Sequence, residues 1–475
     1  MTVKYLNQPE GKTLEFKRDL SSTRNILKTL VAFANTAGGT LLIGIEDKTH
    51  EVLGVANPLD AEERLCSTIA DSIEPRLVPN VELMTWEDKT LLVVEVFPSN
   101  SRPHWLRAEG DVRGVYVRLG SSNRQADADL IADLRRGVMG VTFDEQVLPD
   151  MTAEAIDFPA VVASFAPQRK LLEQDLQTLR LLVPSQGRLA PTIGGLLLFG
   201  HHRDNVFPDA WIQCGRFIGR DKANIFDHTE IHDHLPLAVE QVMAFLKKHA
   251  MRGADFSSGL RRKDVWSIPL TILREVVVNA VVHADYSQKG APIRVMFFDD
   301  RIEVENPGIL LPGMTLEDMM QGVSRLRNRV IARVFRELNL IEQWGSGIPR
   351  IFQEAEKLHL PRPDIIEVGM RVRVIIYLAE PLATSGNEVT GEVTGEVTGE
   401  VEKLLLVIQG EMKRADIQAV LQLKHADHFR EHYLLPALKT GLLEMTTPDK
   451  PRSSKQRYRL TPSGLQWFIQ RRAKT

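Results

Sequence analysis

The chain is short of cysteine, with two in 475 residues, Cys66 and Cys214, far apart. That excludes a disulfide framework or a cysteine-built zinc site, and leaves two buried thiols in a reducing cytoplasm as the expectation. It also has no long apolar run. The longest, Gly194-Gly195-Leu196-Leu197-Leu198-Phe199, is far too short to span a bilayer, and Met1-Thr2-Val3-Lys4 opens without a signal-peptide core. A cytoplasmic protein with no membrane partner is expected. Excess charge is lacking too: the net value is −3 with histidines neutral, so the chain as a whole is no polycation. The distribution is uneven, however. Residues 402–475 carry 14 Lys and Arg against 7 Asp and Glu, a basic end on an acidic body, which points to nucleic acid. The length calls for three or four domains in an otherwise ordinary globular composition.

What is present centres on Leu273 to Gly347. Leu273 to His283 reads as a helix, with Glu275, Asn279 and His283 recurring every fourth residue along one face and Val276, Val277, Ala280 and Val281 on the apolar side. An amide oxygen can ligate a hard Mg²⁺ ion, and a carboxylate one turn away can take a proton from an attacking water. Glu-x-x-x-Asn alone equally describes an amphipathic helix whose polar face meets solvent. The order that follows favours the nucleotide. Ile293 to Phe298 and Arg301 to Glu305 alternate as a hairpin, and Asn306-Pro307-Gly308 turns at its end. A stretch with Gly313 and Gly322 then leads to Ser324-Arg325-Leu326-Arg327-Asn328, and Gly345-Ser346-Gly347-Ile348 opens another helix, where backbone N–H groups favour phosphate.

This order resembles the Bergerat ATP fold of the GHKL superfamily. More narrowly, Arg-Glu-x-x-x-Asn-Ala-x-x-His-x-Asp-Tyr, Glu-Asn-Pro-Gly, Arg-Asn and Gly-Ser-Gly-Ile resemble the divergent ATP-binding domain of RecG-related prokaryotic regulators. The resemblance covers about residues 165–380. It implies ATP and Mg²⁺ as cofactors, with Glu275 activating water, Asn279 holding the metal, and Gly308, Gly345 and Gly347 along the nucleotide. His283 shares their helix face. Arg325 or Arg327 would reach the phosphate charge from a closing lid. Asn306 stands where the superfamily has an adenine-reading Asp, so ATP binding is expected ahead of hydrolysis.

Residues 1–135 read as an α+β unit: a helix from Thr23 to Asn35, a strand from Thr40 to Ile45, a helix from Asp60 to Ser72, a hairpin from Val81 to Phe97, a strand at Val115 to Gly120 and a closing helix from Asp127 to Arg135. Glu10, Glu15 and Asp47 lie near strand ends. They read either as solvated termini or as oxygen ligands for Mg²⁺ or Mn²⁺. Leu14-Glu15-Phe16-Lys17, Phe33-Ala34-Asn35-Thr36-Ala37-Gly38-Gly39, Ile43-Gly44-Ile45-Glu46-Asp47 and Tyr116 to Asn123 resemble the Schlafen-type AlbA domain. That resemblance implies DNA or RNA binding and, in the animal members, RNA cleavage by three carboxylates at these positions. Lys17, Arg118 and Arg124 would be phosphate contacts.

Residues 136–255 read as a connector and a middle α/β region: helix at Leu171 to Val183, a glycine-containing strand at Thr192 to Gly200, a strand at Ala210 to Phe217, and a long helix from Ile231 to His249. Asp227, His228, His232, Asp233 and His234 fall in a turn and a helix start, and no spaced partner completes a metal shell. The ATP-binding domain is placed at residues 256–385. Residues 386–401 are a linker, three Glu-Val-Thr-Gly repeats and the start of a fourth, with glycine too frequent for a long helix. In 402–475 three helices and two strands around a basic tip form a winged-helix pattern, and the run from His428 to Thr461 resembles the winged helix following Fic domains. Lys424, His425, His428, Arg430 and His432 would face a major groove, and Lys450, Arg452 and Lys455 would reach phosphates; a protein-docking winged helix is the alternative.

The expectation is therefore a multidomain α+β protein with a Schlafen AlbA-like α/β domain, a Bergerat/GHKL-like α/β sandwich and a C-terminal winged helix. Its function would be that of an ATP-binding, nucleic-acid-binding prokaryotic regulator of transcription or antiviral defence, acting as a homo-oligomer. A nucleotide-gated, metal-dependent ribonuclease and an assembly scaffold without ATP are the alternatives.

Overall fold

The first sheet grows from Leu14-Glu15-Phe16-Lys17, β1 (Leu14–Lys17), which runs parallel to β2 (Gly39–Ile43) through the crossover helix α1 (Thr23–Asn35). Ile26, Leu30, Val31 and Phe33 of α1 are fully buried, as the helical spacing predicts. A Cβ on Gly39 would lie 2.8 Å from the Phe33 ring, so the Gly-Gly end of the helix is required by packing. After α2 (Pro58–Ser72), the hairpin β3 (Asn80–Trp86) and β4 (Lys89–Val96) completes the order β1-β2-β4-β3. Asn35, fully buried, donates Nδ2 to the carbonyls of His104 and Tyr116, both at 2.9 Å, and accepts from the His104 N–H at 2.7 Å. It thereby pins β5 (Tyr116–Leu119), which turns into β6 (Ser122–Gln125). The helix α3 (Ala128–Met139) closes this part, capped by Asp127, which accepts from the Leu130 N–H at 2.9 Å.

The structure is a computed structural model. It describes the chain apart from residues 1–4, 7, 48, 256–262, 342–346, 379–398, 409, 422, 424, 440–441, 447–455, 462–463 and 465–475. Contacts divide the chain into two units, residues 1–384 and 385–475.

Two expectations for the middle of the chain fail. Thr192 to Gly200 is a helix, α4 (Ile193–Phe199), not a strand. Every residue of it is buried, so it shows no polar face to reveal its period. The missed signal is its cap: Thr192 accepts the Gly195 N–H at 2.9 Å. Helix formation there needs glycine, because a Cβ on Gly195 would sit 2.3 Å from the Leu181 carbonyl oxygen. Of Leu171 to Val183 only Asp175–Thr178 is helical, and Leu182–Ser185 is a strand paired with Arg188–Pro191. The strand at 210–217 is present as β7 (Ile212–Ile218). The long helix starts later, because β8 (Asn224–Ile231) pairs with β7 up to Ile231 and α5 (Leu235–Ala250) follows.

The helix α6 (Leu270–His283) leads into β9 (Ile293–Phe297) and β10 (Arg301–Pro307). Next come α7 (Leu316–Met320), α8 (Arg329–Glu337), α9 (Gly347–Lys357), β11 (Asp364–Val368) and β12 (Arg371–Tyr377). One six-stranded sheet takes strands from both sides of residue 256, in the order β8-β7-β9-β10-β12-β11, with only β7 and β9 parallel. Ile302 and Val304 of β10 face the main core with α4, α5, α6 and α8. The alternate residues Glu303 and Glu305 are buried on the other face, held by Arg301 at 2.6 Å and Arg373 at 2.5 Å. Asn306 shares the parity of Ile302 and Val304 and so points to the helix side.

The second unit contains α10 (Gly399–Val407), α11 (Arg414–Val420), α12 (Ala426–Phe429), a π-turn at Arg430–Leu434 and α13 (Leu435–Lys439). A short hairpin follows, β13 (Leu443–Met445) and β14 (Tyr458–Leu460). Val401, Leu404, Leu405, Ile417, Phe429 and Tyr433 build its core. The fourth Glu-Val pair of the repeat is thus helix, not linker, and that helix begins at Gly399, the last residue of the third repeat; residues 388–398 lie outside the described residues. Cys66 is exposed on the outer side of α2, contrary to expectation, whereas Cys214 is buried. No described helix is long and apolar enough to cross a membrane.

Candidate functional site

Glu275, Asn279 and His283 do lie along one side of α6, but that side does not meet bulk solvent. The helix is buried on most of its circumference, and the stripe faces a cavity of about 300 Å³ between α6, the end of β10 and the segment after it. Asn306, Gly308, Arg325, Arg327 and Gly347 line the same cavity, with Leu310, Met314, Ile341, Ile348, Val372 and Val374 as apolar wall. The volume is that of a small-molecule site, mostly apolar with a few convergent polar groups. Gly345 lies outside the described residues.

Asn279 donates Nδ2 to Glu275 Oε1 at 3.0 Å, which turns its own Oδ1 away from Glu275. The first residue of α9 closes on the same carboxylate: a Cβ on Gly347 would stand 1.8 Å from Glu275 Oε1. A side chain at this position would have to push the Glu275 carboxylate aside. Asn306, buried, donates Nδ2 to the carbonyls of His283 at 3.4 Å and Pro307 at 3.2 Å. Its oxygen has no donor among the described residues. Gly308 has φ +102°, and a Cβ there would meet Asp285 Cβ at 2.9 Å.

The two arginines differ from expectation. Arg327 is buried and committed: it donates to Asp133 Oδ2 at 2.9 Å and to the Ile309 carbonyl at 2.5 Å, and it lies 3.7 Å from Asp285. It is a tether to α3, not a finger for phosphate. Arg325 is exposed and, among the described residues, donates only to the Pro312 carbonyl, at 2.8 Å. The presumed lid is anchored as well. Ile309 is packed into the cluster of Val115, Val117, Leu130 and Leu134. The Gly313 N–H donates to the Thr36 carbonyl at 2.9 Å. Glu367 accepts from the Leu310 N–H at 2.8 Å and from Lys12 Nζ at 2.7 Å. The rim of the cavity is therefore built partly by the N-terminal α+β part.

The surface of His283 faces the cavity, not open water. Burial, with Arg327 nearby as a second cause, pushes its imidazole down to about 4. The unfolded chain, with an ordinary histidine near 6.5, takes up a proton that the folded chain refuses until pH 4. Stability from this group is complete above about pH 6.5 and falls as pH drops toward 4. Between pH 7 and pH 5 the parent should lose about 2 kcal/mol more than His283→Asn in urea unfolding. Equal losses would refute the assignment.

At the N-terminal carboxylates the geometry opposes a metal. Glu15 is buried, with Arg118 on one oxygen and Lys17 on the other at 2.6 Å. Lys17 also lies 3.4 Å from Asp47. Burial pulls the Lys17 ammonium down, but Glu15, Asp47 and Glu10 together hold it above its ordinary value. Glu10 accepts the Phe16 N–H at 2.9 Å. The place where a divalent cation would sit is taken by two side-chain cations, and among the described residues no group of three His, Cys, Asp or Glu side chains is placed to hold a metal ion. Arg118 is fully buried, donating also to Asn123 Oδ1 at 2.9 Å and the Gly11 carbonyl at 3.0 Å, so it is not a surface phosphate contact. Arg124 is exposed. In the second unit His425, His428, Arg430 and His432 are exposed, with the His428 and His432 rings 4.6 Å apart. Lys424, Lys450, Arg452 and Lys455 lie outside the described residues.

Three family models match the chain. Residues 10–127 match "Schlafen, AlbA_2", residues 290–376 match "Putative ATP-dependent DNA helicase recG C-terminal", and residues 399–461 match "Filamentation induced by cAMP protein Fic-like, C-terminal domain". The chain joins a Schlafen AlbA, a RecG-related and a Fic-like C-terminal segment. The RecG-related match holds Asn306, Gly308, Arg325, Arg327 and Gly347 but begins after α6, so Glu275, Asn279 and His283 belong to the cavity by geometry alone.

Solved structures resemble it in part. The DIP2311 protein from Corynebacterium diphtheriae is 18% identical over 97% of this chain and 94% of its own, with a TM-score of 0.44. The N-terminal domain of a "Putative ATP-dependent DNA Helicase RecG-related Protein" from Nitrosomonas europaea is 28% identical over 26% of this chain and 89% of its own, TM-score 0.22. A Fic family protein from Desulfovibrio desulfuricans G20 is 43% identical over 14% of this chain and 22% of its own, TM-score 0.14. This chain therefore spans about a fifth of that Fic protein's length.

Proposed function

We propose that the chain is a nucleotide-binding, nucleic-acid-binding regulator in which nucleotide held by the RecG-related segment controls engagement of DNA or RNA. One observation carries this reading: the polar stripe of α6 and Asn306 of the sheet converge on one cavity. In a GHKL-like sandwich that cavity takes ATP. Asn306, its Nδ2 held by two carbonyls, offers an acceptor oxygen to the exocyclic amine of adenine. Asn279 Oδ1 is a hard oxygen suited to Mg²⁺, which when bound would draw charge from the phosphates. Glu275 already accepts from Asn279 and abuts Gly347, an arrangement that favours holding nucleotide over rapid turnover.

Nucleic acid would meet the Schlafen AlbA segment through Arg124 and its surroundings, and a winged helix in the second unit through Arg430 and the exposed histidines. Metal-dependent RNA cleavage is not part of the reading, because Lys17 and Arg118 already neutralise the carboxylates it would need. The route from cavity to AlbA segment is physical: Ile309, the Leu310 amide on Glu367 with Lys12, and Gly313 on Thr36 all join the cavity rim to the N-terminal part.

The reading is tested by titrating the full chain with fluorescent duplex DNA and single-stranded RNA, with and without saturating ATP and Mg²⁺. Nucleotide should change affinity for one of them by about fivefold or more. Lys12→Ala, which unties Glu367 from the AlbA segment and lies outside the cavity lining, should shrink that change while leaving ATP binding intact. Identical affinities with and without nucleotide would contradict coupled control.

A further inference from the structure

Beside the nucleotide cavity, across the segment from Ser324 to Arg327, lies a second cleft of about 440 Å³. It is bounded by the AlbA segment and α3 on one side and by the segment after β10 on the other. Four arginines line it, Arg102, Arg325, Arg327 and Arg329, against one carboxylate, Asp133. Asp133 is already shared by Arg327 at 2.9 Å and Arg136 at 3.3 Å. Arg329 lies 3.4 Å from Glu145 and donates to the Gly140 carbonyl at 2.7 Å. Arg102 and Arg325 have no carboxylate partner among the described residues. Arg102 is the more telling, since its Nε is buried and has no hydrogen-bond acceptor.

A buried guanidinium N–H without an acceptor is costly, and two like charges facing one cleft add to that cost. Burial, and after it the charge of Arg325, weaken the hold of Arg102 on its proton. An anion between the two would offset their mutual repulsion, and the planar fork of arginine matches a tetrahedral oxyanion.

We infer that this cleft is a phosphate-binding site, gripped by Arg102 from the AlbA segment and Arg325 from the cavity rim. It goes beyond the nucleotide reading and does not depend on it: Arg102 does not line the nucleotide cavity. The phosphate has two possible sources, the tail of a nucleotide seated next door or the backbone of a nucleic acid drawn into the cleft. In either case the ligand would bridge the two parts of the chain that the regulatory reading requires to communicate.

Inorganic pyrophosphate without Mg²⁺ is the direct probe. It should raise the melting temperature of the full chain and bind Arg102→Ala about tenfold more weakly, as loss of a charged hydrogen-bond donor requires. Arg102→Ala by itself should melt at or above the parent temperature, because it removes a repulsion and no partner. Adenosine, which reads only the nucleotide cavity, should bind both proteins alike. If ATP weakens on the variant while adenosine does not, the phosphate is the nucleotide's own. If an oligothymidine weakens with its salt slope reduced by about one while ATP is unchanged, the phosphate is a backbone one. Pyrophosphate affinity equal in parent and variant overturns the site. So does a marked fall in melting temperature on Arg102→Ala, which would show that Arg102 has a structural partner.

Discussion

Asn279→Ala is expected to weaken magnesium-dependent ATP binding by about a hundredfold or more, since even the outer partners of a metal ligand are worth ten- to a hundredfold. Its side chain stands at the centre of the α6 stripe, with Nδ2 tied to Glu275 and Oδ1 left for a cation. The same change should cost the fold little, about 1 kcal/mol, because one half-buried hydrogen bond is lost and no core side chain moves. A large binding loss with a small stability loss separates a ligand from a packing residue. Glu275→Ala should behave otherwise: binding persists, and any turnover slows, since the metal ligand remains. Were the stripe merely a polar helix face, both variants would bind nucleotide as the parent does.

The second large effect is expected at Asp144, which no motif marks. This buried carboxylate accepts the N–H groups of Arg329 at 3.0 Å, Val330 at 2.7 Å and Ile331 at 3.0 Å, the open donors at the start of α8. Burial pushes its carboxyl up to about 6, against the pull of Thr142 and those amides. Asp144→Ala strands two buried donors and one part-buried donor at once and should destabilise the first unit by about 3 kcal/mol or more. Asp144→Asn retains one acceptor oxygen and should lose roughly half as much. Chemical denaturation of the three proteins measures this directly. A loss within about 0.5 kcal/mol for the alanine variant, the ordinary result of a surface change, would show that water replaces the cap.

Asp144 also shows where sequence reading stops. It caps a helix 185 residues away, and nothing local to either segment announces the pair. Local signals fared well. The α1 helix, the β3–β4 and β9–β10 hairpins and the three helices of the second unit follow from periodicity and turn residues, because each has one polar and one apolar side. The α4 segment does not, because it is apolar all round and a buried helix then reads like a buried strand. At the cavity, Glu275, Asn279 and His283 were legible as a stripe and Asn306 as a turn at a strand end, and the topology brings them together. What could not be read was the occupancy of charges. Arg118, Lys17 and Arg327 look like phosphate contacts until tertiary structure sets Glu15, Asp47 and Asp133 against them. Charged groups declare a partner only in three dimensions, and the arginine left over, Arg102, carried no sequence signal at all.

The central claim is that the α6 cavity holds a nucleotide through Asn279, Asn306 and a magnesium ion. Calorimetric titration of the full parent chain with ATP, in the presence and absence of Mg²⁺, tests it most directly. Saturable binding at one site per chain, strengthened by Mg²⁺ in the parent and losing that strengthening in Asn279→Ala, is the predicted result. No saturable heat with ATP under either condition would contradict it and leave a nucleic-acid-binding scaffold with an empty apolar pocket.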